Sequence, residues 1–432
     1  MKKMIMLLTV LLALCVGAAG AQAGQRYVEG DWVFTLLEDG TAEIADYKGE
    51  ARTLNIPSRL SGYPVSSIGY NAIASIQSAR KAVIPEGVLV IGESAFYNCK
   101  SLETIEIPES VLYFGDGAFT FCESFTTFTV PDTVIGMGNN PFSGCYGMER
   151  MIVAPSHPVF AEIDGVLFEK ANKRLVSYPL AKKGSKYVVP DGIAVIGAEA
   201  FSFCELKSVE LPDSVTAIED GGFFSCGELK EIVIPAGVTQ IDRMAFAFCD
   251  SLSKVTLNEG VTYIGEQAFH DCDALKSIKI PDSVTTVSDN PFTDCDKLKK
   301  IEVSKKHPVL EVVDGVLFNK EEGRLICCPI SVSKKTYTFP DGVRAIAGGA
   351  FYRTKLESVT IPDGVTYIGK NAFDMCSELT QAYIPASVTY IGEDAFTSWT
   401  TLTVERGSYA EAWAKENKIT YTYPDADSWL TR

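Results

Sequence analysis

The chain is predicted to fold as a stacked solenoid, and three observations carry that reading. A segment of the form I-G-x-x-A-F-x-x-C-x-x-L-x-x-I-x-I-P recurs twelve times, as in Ile91–Pro108 and Ile264–Pro281. Its step is 22–23 residues; Cys226, Cys249, Cys272 and Cys295 are each 23 apart. Apolar residues return at the same place in every unit, so each unit buries its apolar side only by stacking on its neighbours. The 432 residues therefore do not translate into a count of globular domains, because a solenoid grows by adding rungs.

One rung shows how the pattern works. In Leu206–Pro212, Leu206, Val209 and Leu211 are expected to point inward and Lys207, Ser208 and Glu210 outward, the alternation of a short strand with one buried face. Pro212 stops the strand because it has no N–H to donate. Asp213-Ser214 supplies the turn, and Val215 and Ile218 return to the core. Ile-Gly-x-x-Ala-Phe-x-x-Cys follows in the better-formed rungs. Phe and Cys are three apart, so one helical turn would place both on one side. Gly is expected to permit a sharp turn.

The Phe position is filled in every rung but the first, where Ile73 stands. Stacked, these rings would form an aromatic spine. Nine cysteines (Cys99, Cys122, Cys145, Cys204, Cys226, Cys249, Cys272, Cys295, Cys376) share one rung position. A residue selected once per rung reads as a core filler, so a ladder of small buried thiols is expected. Rungs about 4.8 Å apart also leave room for one vertical disulfide. Cys327-Cys328 falls outside the ladder.

A second period of 150 residues relates Pro85 to Pro235 and Pro190 to Pro340. Within each block one 59-residue step, Pro131 to Pro190 or Pro281 to Pro340, replaces an ordinary one. Both long steps open on Asn-Pro-Phe and continue through His-Pro-Val to Asp-Gly-Val-Leu-Phe. Val166–Phe168 with Leu175–Tyr178, and Val316–Phe318 with Leu325–Cys328, read as two β-hairpins leaving the solenoid within inserts near 155–187 and 305–337. The rungs run over 68–404. Residues 24–67 read as a β cap built on the turn Glu38-Asp39-Gly40, and 405–432 as a helix and strand cap opened by the capping box Ser408-Tyr409-Ala410-Glu411.

Residues 1–23 read as a signal peptide: Lys2-Lys3, an apolar run from Ile5 to Val16, then Ala21-Gln22-Ala23 before Gly24. No later stretch could span a bilayer, so a secreted or surface-held protein is expected. Net charge is −16 with no basic block; such a chain repels phosphate backbones, which argues against nucleic-acid binding.

The Ala-Phe-x-x-Cys-x-x-Leu-x-x-Ile-x-Ile-Pro pattern and the Asp-Gly-Val-Leu-Phe insert resemble the bacterial leucine-rich repeats named after the BspA surface antigen, also called the Treponema pallidum type. The resemblance runs from about Trp32 to Val404. It implies a leucine-rich-repeat solenoid, right-handed and curved, with a parallel β-sheet on the concave face and short helical turns or strands on the other side. It also implies a secreted or surface protein concerned with adhesion or the binding of host matrix proteins. It carries over no catalytic or ligand-binding residue. Asn258 replaces the usual Pro, and Thr354 and Trp399 replace Cys.

The residues themselves show no catalytic constellation. His157 and His307 are equivalent in the two blocks and read as structural. No phosphate-binding loop, nucleophile elbow, zinc spacing or EF-hand loop appears. Asp271-Cys272-Asp273 and Asp294-Cys295-Asp296 mimic a calcium ladder, but the Cys points inward and other rungs lack the acids. No enzyme, cofactor or metal is expected. Recognition of a protein or glycan, on a host or neighbouring-cell surface, falls to the variable outward residues of the sheet: Lys207, Glu210, Lys230, Lys254, Lys276, Lys279, Lys299, Glu302, Thr360 and Tyr383. The hairpin cations Lys170, Lys173, Arg174, Lys320 and Arg324 are the second candidate group. The competing role is structural, an envelope scaffold that self-associates. The oligomeric state is not specified by the residues.

Overall fold

The computed structural model describes residues 25–332 and 334–425; the leader expected over 1–23 lies outside them. Two compact units emerge, one ending at Gly184 and including Val195–Phe203, the other made of Ser185–Ala194 and the chain from Cys204. Each is a parallel β-solenoid whose rungs have three sides.

The first side carries the Ile-x-Ile-Pro strands. Glu231–Ile234 pairs in parallel with Lys254–Leu257, Glu231 opposite Lys254 and Ile234 opposite Leu257. The second side is a narrower parallel ladder of two-residue strands such as Gln240–Ile241, Tyr263–Ile264 and Thr286–Val287, each ending on the apolar residue before the repeat's Gly position, which Asp242, Gly265 and Ser288 fill here. The third side, over Ala-Phe-x-x-Cys, is a wall of turns rather than the expected helical turn. Two residues per rung adopt left-handed backbone there, Met244 (φ 54°) and Phe248 (φ 59°) in one, Gln267 (φ 54°) and Asp271 (φ 55°) in the next. This alternation aims every second N–H along the stack: Met244, Phe246 and Phe248 donate to the carbonyls of Glu266, Ala268 and His270 at 3.1, 2.8 and 2.7 Å. The wall is thus a hydrogen-bonded ladder, which a helical turn, with its bonds spent inside itself, could not form.

Gly265 does not serve a sharp turn either, since its φ is not positive. A Cβ on it would lie 2.6 Å from the backbone nitrogen of Arg243, so the residue is required by the closeness of the preceding rung. Gly265→Ala is expected to cost about 1–3 kcal/mol as the backbone shifts. Gly227→Ala, whose Cβ meets nothing within 4 Å, should leave the urea midpoint unchanged; equal effects of the two would refute the close-approach account.

Inside, the rings form the expected spine. Phe223, Phe246, Phe269 and Phe292 stack at centroid distances of 5.0, 5.4 and 5.6 Å with interplanar angles of 15° or less. Phe351, Phe373 and Phe396 repeat this at 5.1 Å. The thiols are buried and free, and they are hydrogen-bond donors as well as fillers. Cys249, Cys272 and Cys295 give their S–H to the carbonyls of Phe223, Phe246 and Phe269 in the preceding rung at 3.2, 3.2 and 3.0 Å. Burial pushes the Cys145 thiol up to about 12, which keeps it protonated and able to donate. At the end of the stack Trp399 does not fill the thiol position: it is half exposed, while Thr397 and Thr400 lie buried with hydroxyls 3.2 Å apart.

The two expected hairpins form, but each gains a further strand and stays on the stack. Each is a three-stranded antiparallel meander, Phe160–Ile163, Val166–Glu169 and Arg174–Ser177 in the first block, Leu310–Val313, Val316–Asn319 and Arg324–Cys327 in the second. The last strand rejoins the narrow ladder, Leu175 opposite Ile196 and Leu325 opposite Ile346. Val166, Leu167 and Leu175 are fully buried, so the meander is wall and core. The turn wall closes over it. Asn140 accepts from the Phe142 N–H at 3.1 Å and donates to the Glu199 carbonyl, 59 residues on, at 2.7 Å. Asn290 does the same with Phe292 and Gly349 at 3.1 and 2.6 Å.

The ends are closed differently. Antiparallel strands Tyr27–Glu29, Trp32–Leu36 and Ala42–Tyr47 lead into Tyr63–Ile68, the first parallel neighbour. At the far end Ser408 caps helix Tyr409–Glu416, accepting from the Glu411 N–H at 3.2 Å. The helix lays Trp413 edge-on against Phe396, centroids 6.2 Å apart.

Candidate binding surface

The strand side of the second unit places one cation column in line. Lys230 N–H donates to the Lys207 carbonyl, Ser253 to Lys230, and Lys299 to Lys276, at 3.1, 3.0 and 3.0 Å. These positions share a register, and Lys207, Lys230, Ser253, Lys276 and Lys299 are all exposed, each just ahead of a strand whose Val209, Ile232, Val255, Ile278 or Ile301 is buried. One column over, Glu231 faces Lys254 and Ser277 faces Lys300; beyond the buried column, Lys279 faces Glu302.

Four of the lysines on this side are paired: Lys254 with Glu231 at 3.6 Å, Lys300 with Glu302 at 2.9 Å, Lys186 with Glu210 at 2.5 Å, and Lys335 with Glu357. Such exposed pairs contribute about 0–1 kcal/mol each. Lys207, Lys230, Lys276, Lys279 and Lys299 are exposed, and none has a carboxylate within 4 Å among the described residues. Rungs about 4.8 Å apart lie well inside the ~8 Å physiological Debye length, so their fields add. Thr360 and Tyr383 sit opposite each other in the C-terminal sheet. Tyr383 is half-buried and its hydroxyl donates to Glu405 at 3.0 Å, which ties it inward.

The insert cations divide. Lys170 and Lys320 donate to the carbonyls of His157 and His307, at 2.5 and 2.6 Å. Arg324 is half-buried and binds Asp289 at 3.0 Å, Glu322 at 2.7 Å and the Val287 carbonyl. Arg174 is half-buried in the returning strand. Lys173, exposed like Lys170 and Lys320, stands on a tight turn at φ 52°. Arg324 thus ties the returning strand to Asp289 and the Val287 carbonyl of the stack, while Lys170 and Lys320 bond within their own inserts. The returning strand is part of the wall, so Arg324 meets a backbone carbonyl of the neighbouring rung.

Sequence reasoning passed over the turn wall. An open groove of about 380 Å³ is lined there by Phe224, Ser225, Gly227, Phe248, Asp250 and Asp271. The rings of Phe224 and Phe248 meet edge to face at 5.2 Å, and burial, followed by the charge of Asp273, raises the Asp271 carboxyl. The signal was available: Phe224 and Phe248 are aromatic outside the fixed ring position. Among the described residues, no group of three or more His, Cys, Asp or Glu side chains could hold a metal ion, and no helix is long and apolar enough to cross a membrane.

Parallel rungs of 22–23 residues, a ring in every rung after the first, a thiol in nine of them, and terminal caps define a repeat solenoid. The BspA type leucine rich repeat model matches residues 50–179, 180–308 and 331–407, in six copies, and the chain belongs to that family. A leucine-rich repeat protein from Eubacterium ventriosum is 19% identical, with a TM-score of 0.50 over 86% of this chain and 95% of its own; that likeness shows the fold. A leucine rich cell surface protein from Faecalibacterium prausnitzii is 27% identical over 67% of this chain and 97% of its own, with a TM-score of 0.49. The pneumococcal vaccine antigen PcpA is 15% identical over 93% and 99%, with a TM-score of 0.42. No curated protein matches the chain.

Proposed function

We propose that the protein is an exported, non-catalytic interaction module that holds an anionic protein or glycan on the strand side of its second unit. The observation that carries this is the run of five exposed lysines without acidic partners, Lys207, Lys230, Lys276, Lys279 and Lys299, on a chain of net charge −16. Uncompensated cations on one side, four in a single column and Lys279 beyond the buried column, favour an acidic ligand in a protein otherwise acidic and speed its encounter. The family suits this reading, since its repeats supply a rigid scaffold with variable outward positions. The leader-like residues 1–23 and the description of the Faecalibacterium prausnitzii relative as a cell surface protein support export.

The test is capture of ligands from host and neighbouring-cell extracts and on a glycan array with the folded protein. Reversing Lys254, Lys276 and Lys279 to Glu is expected to reduce binding at least tenfold and to flatten its salt dependence. Unchanged binding would remove the strand side from consideration. The same substitutions are expected to shift the unfolding midpoint little, because the side chains are exposed.

A further inference from the structure

Seven ladder thiols donate to a backbone carbonyl of the preceding rung, from Cys99 to Ile73 at 3.0 Å through Cys376 to Phe351 at 3.0 Å. At Cys204 and Cys226 a further contact is present: their sulfur atoms face each other at 3.2 Å, and both are buried. The sequence explains the change. The step between them is 22 residues, and Cys204 precedes Leu206 by two where Cys226 and Cys249 precede Leu229 and Leu252 by three. The second block repeats this short rung with Thr354 in place of Cys204. There the Thr354 hydroxyl lies 3.3 Å from the Cys376 sulfur, again a 22-residue step. The close approach is therefore a property of the short rung, and only its first copy supplies two sulfurs.

We propose that Cys204 and Cys226 are a modification site, closing a disulfide between adjacent rungs in an oxidising compartment. The sulfurs already touch, and a rung spacing of about 4.8 Å falls within the Cα separations of roughly 4.4–6.8 Å that disulfides span. In the reaction one cysteine thiolate attacks an external disulfide of the glutathione class, releasing one reduced thiol. The second cysteine displaces the other, forming the Cys204–Cys226 S–S bond. Two protons and two electrons leave the protein, and the external disulfide becomes two thiols. Because both sulfurs are buried, exchange takes place while the rung folds or when it opens locally. The physiological setting rests on the export reading; the chemistry does not.

The reduced protein is unfolded, refolded in a buffer of reduced and oxidised glutathione, alkylated, and mapped by mass spectrometry without reduction. The expected result is one cross-linked peptide pair joining Cys204 to Cys226, and a thiol count after unfolding two lower than in the reduced protein. The urea midpoint should rise and fall back with dithiothreitol. Cys204→Ser should abolish all three effects, while Cys99→Ser leaves the cross-link intact. Full recovery of free thiols, or a cross-link between another pair, would overturn the proposal. Should Cys204→Ser fail to fold, the unsubstituted protein's peptide map decides alone. Binding by the lysine column is measured on both redox forms, so loss of the binding reading and loss of the disulfide are separate results.

Discussion

Phe246→Ala is expected to lower the unfolding free energy by roughly 3–5 kcal/mol, the range for truncating a fully buried aromatic. Phe246 has no exposed surface and lies between Phe223 and Phe269 at 5.0 and 5.4 Å, its plane within 6° of both. Removing the ring strips a stacking partner from both neighbours. The cavity cannot collapse easily, because the backbone at this residue is held from two sides: its N–H bonds the Ala268 carbonyl at 2.8 Å and its carbonyl accepts from Cys272 at 3.2 Å. The upper end of the range is therefore expected. Chemical denaturation measures the loss, and hydrogen exchange locates it, with protection falling first at the amides of the adjacent rungs. A loss below about 1 kcal/mol would mean that the rings fill space without supporting the stack.

The spine and thiol ladder were legible because both are periodic, and a residue fixed at one place per rung can only face its copies in the neighbouring rungs. The caps were legible for the opposite reason, since Ser408 and Glu411 announce a helix exactly once. What stayed hidden depended on backbone handedness and on partners far along the chain. Asn98, Phe121, Ser225, Phe248 and Asp271 occupy one rung position and all have positive φ, yet they share no chemistry from which a left-handed turn could be read. The ladder on the turn wall, and the groove it exposes beside Phe248, follow from that conformation. The inserts misled because Asp-Gly-Val-Leu-Phe has the look of a free hairpin. Its third strand, Phe160–Ile163, carries exposed residues at Glu162 and Ile163 and so lacks a core signature. Arg324 reads as a surface cation until Asp289, 35 residues earlier, is placed beside it. The lysine column was visible in the sequence, but which of its members lack a counter-charge was set by the register of Glu231, Glu302 and Glu210.

His307→Ala is expected to cost about 3 kcal/mol, although the residue is neither catalytic nor exposed. Its Nδ1 accepts two backbone N–H groups, from Val309 at 3.2 Å and Leu310 at 2.9 Å. That nitrogen therefore carries no proton, and Nε2–H donates to the Pro281 carbonyl at 3.1 Å. One imidazole thus fastens the start of the meander to a rung 26 residues earlier, in a site 1% exposed. Truncation leaves two donors and one acceptor without partners, and each buried orphan costs roughly 1–3 kcal/mol. Shared relaxation makes the sum less than additive. The first block provides a replicate within the same chain: His157 accepts from Val159 and Phe160 at 3.2 and 3.0 Å and donates to Pro131 at 3.1 Å. His157→Ala should therefore match His307→Ala within about 1 kcal/mol by urea denaturation. Each should deprotect the amides of its own meander while leaving the lysine column's ligand affinity unchanged. A loss under about 1 kcal/mol at both sites would show that the bonds are replaced by water at little cost, and the anchoring role would fall. A large loss of ligand affinity with stability intact would instead place the histidines at the binding surface.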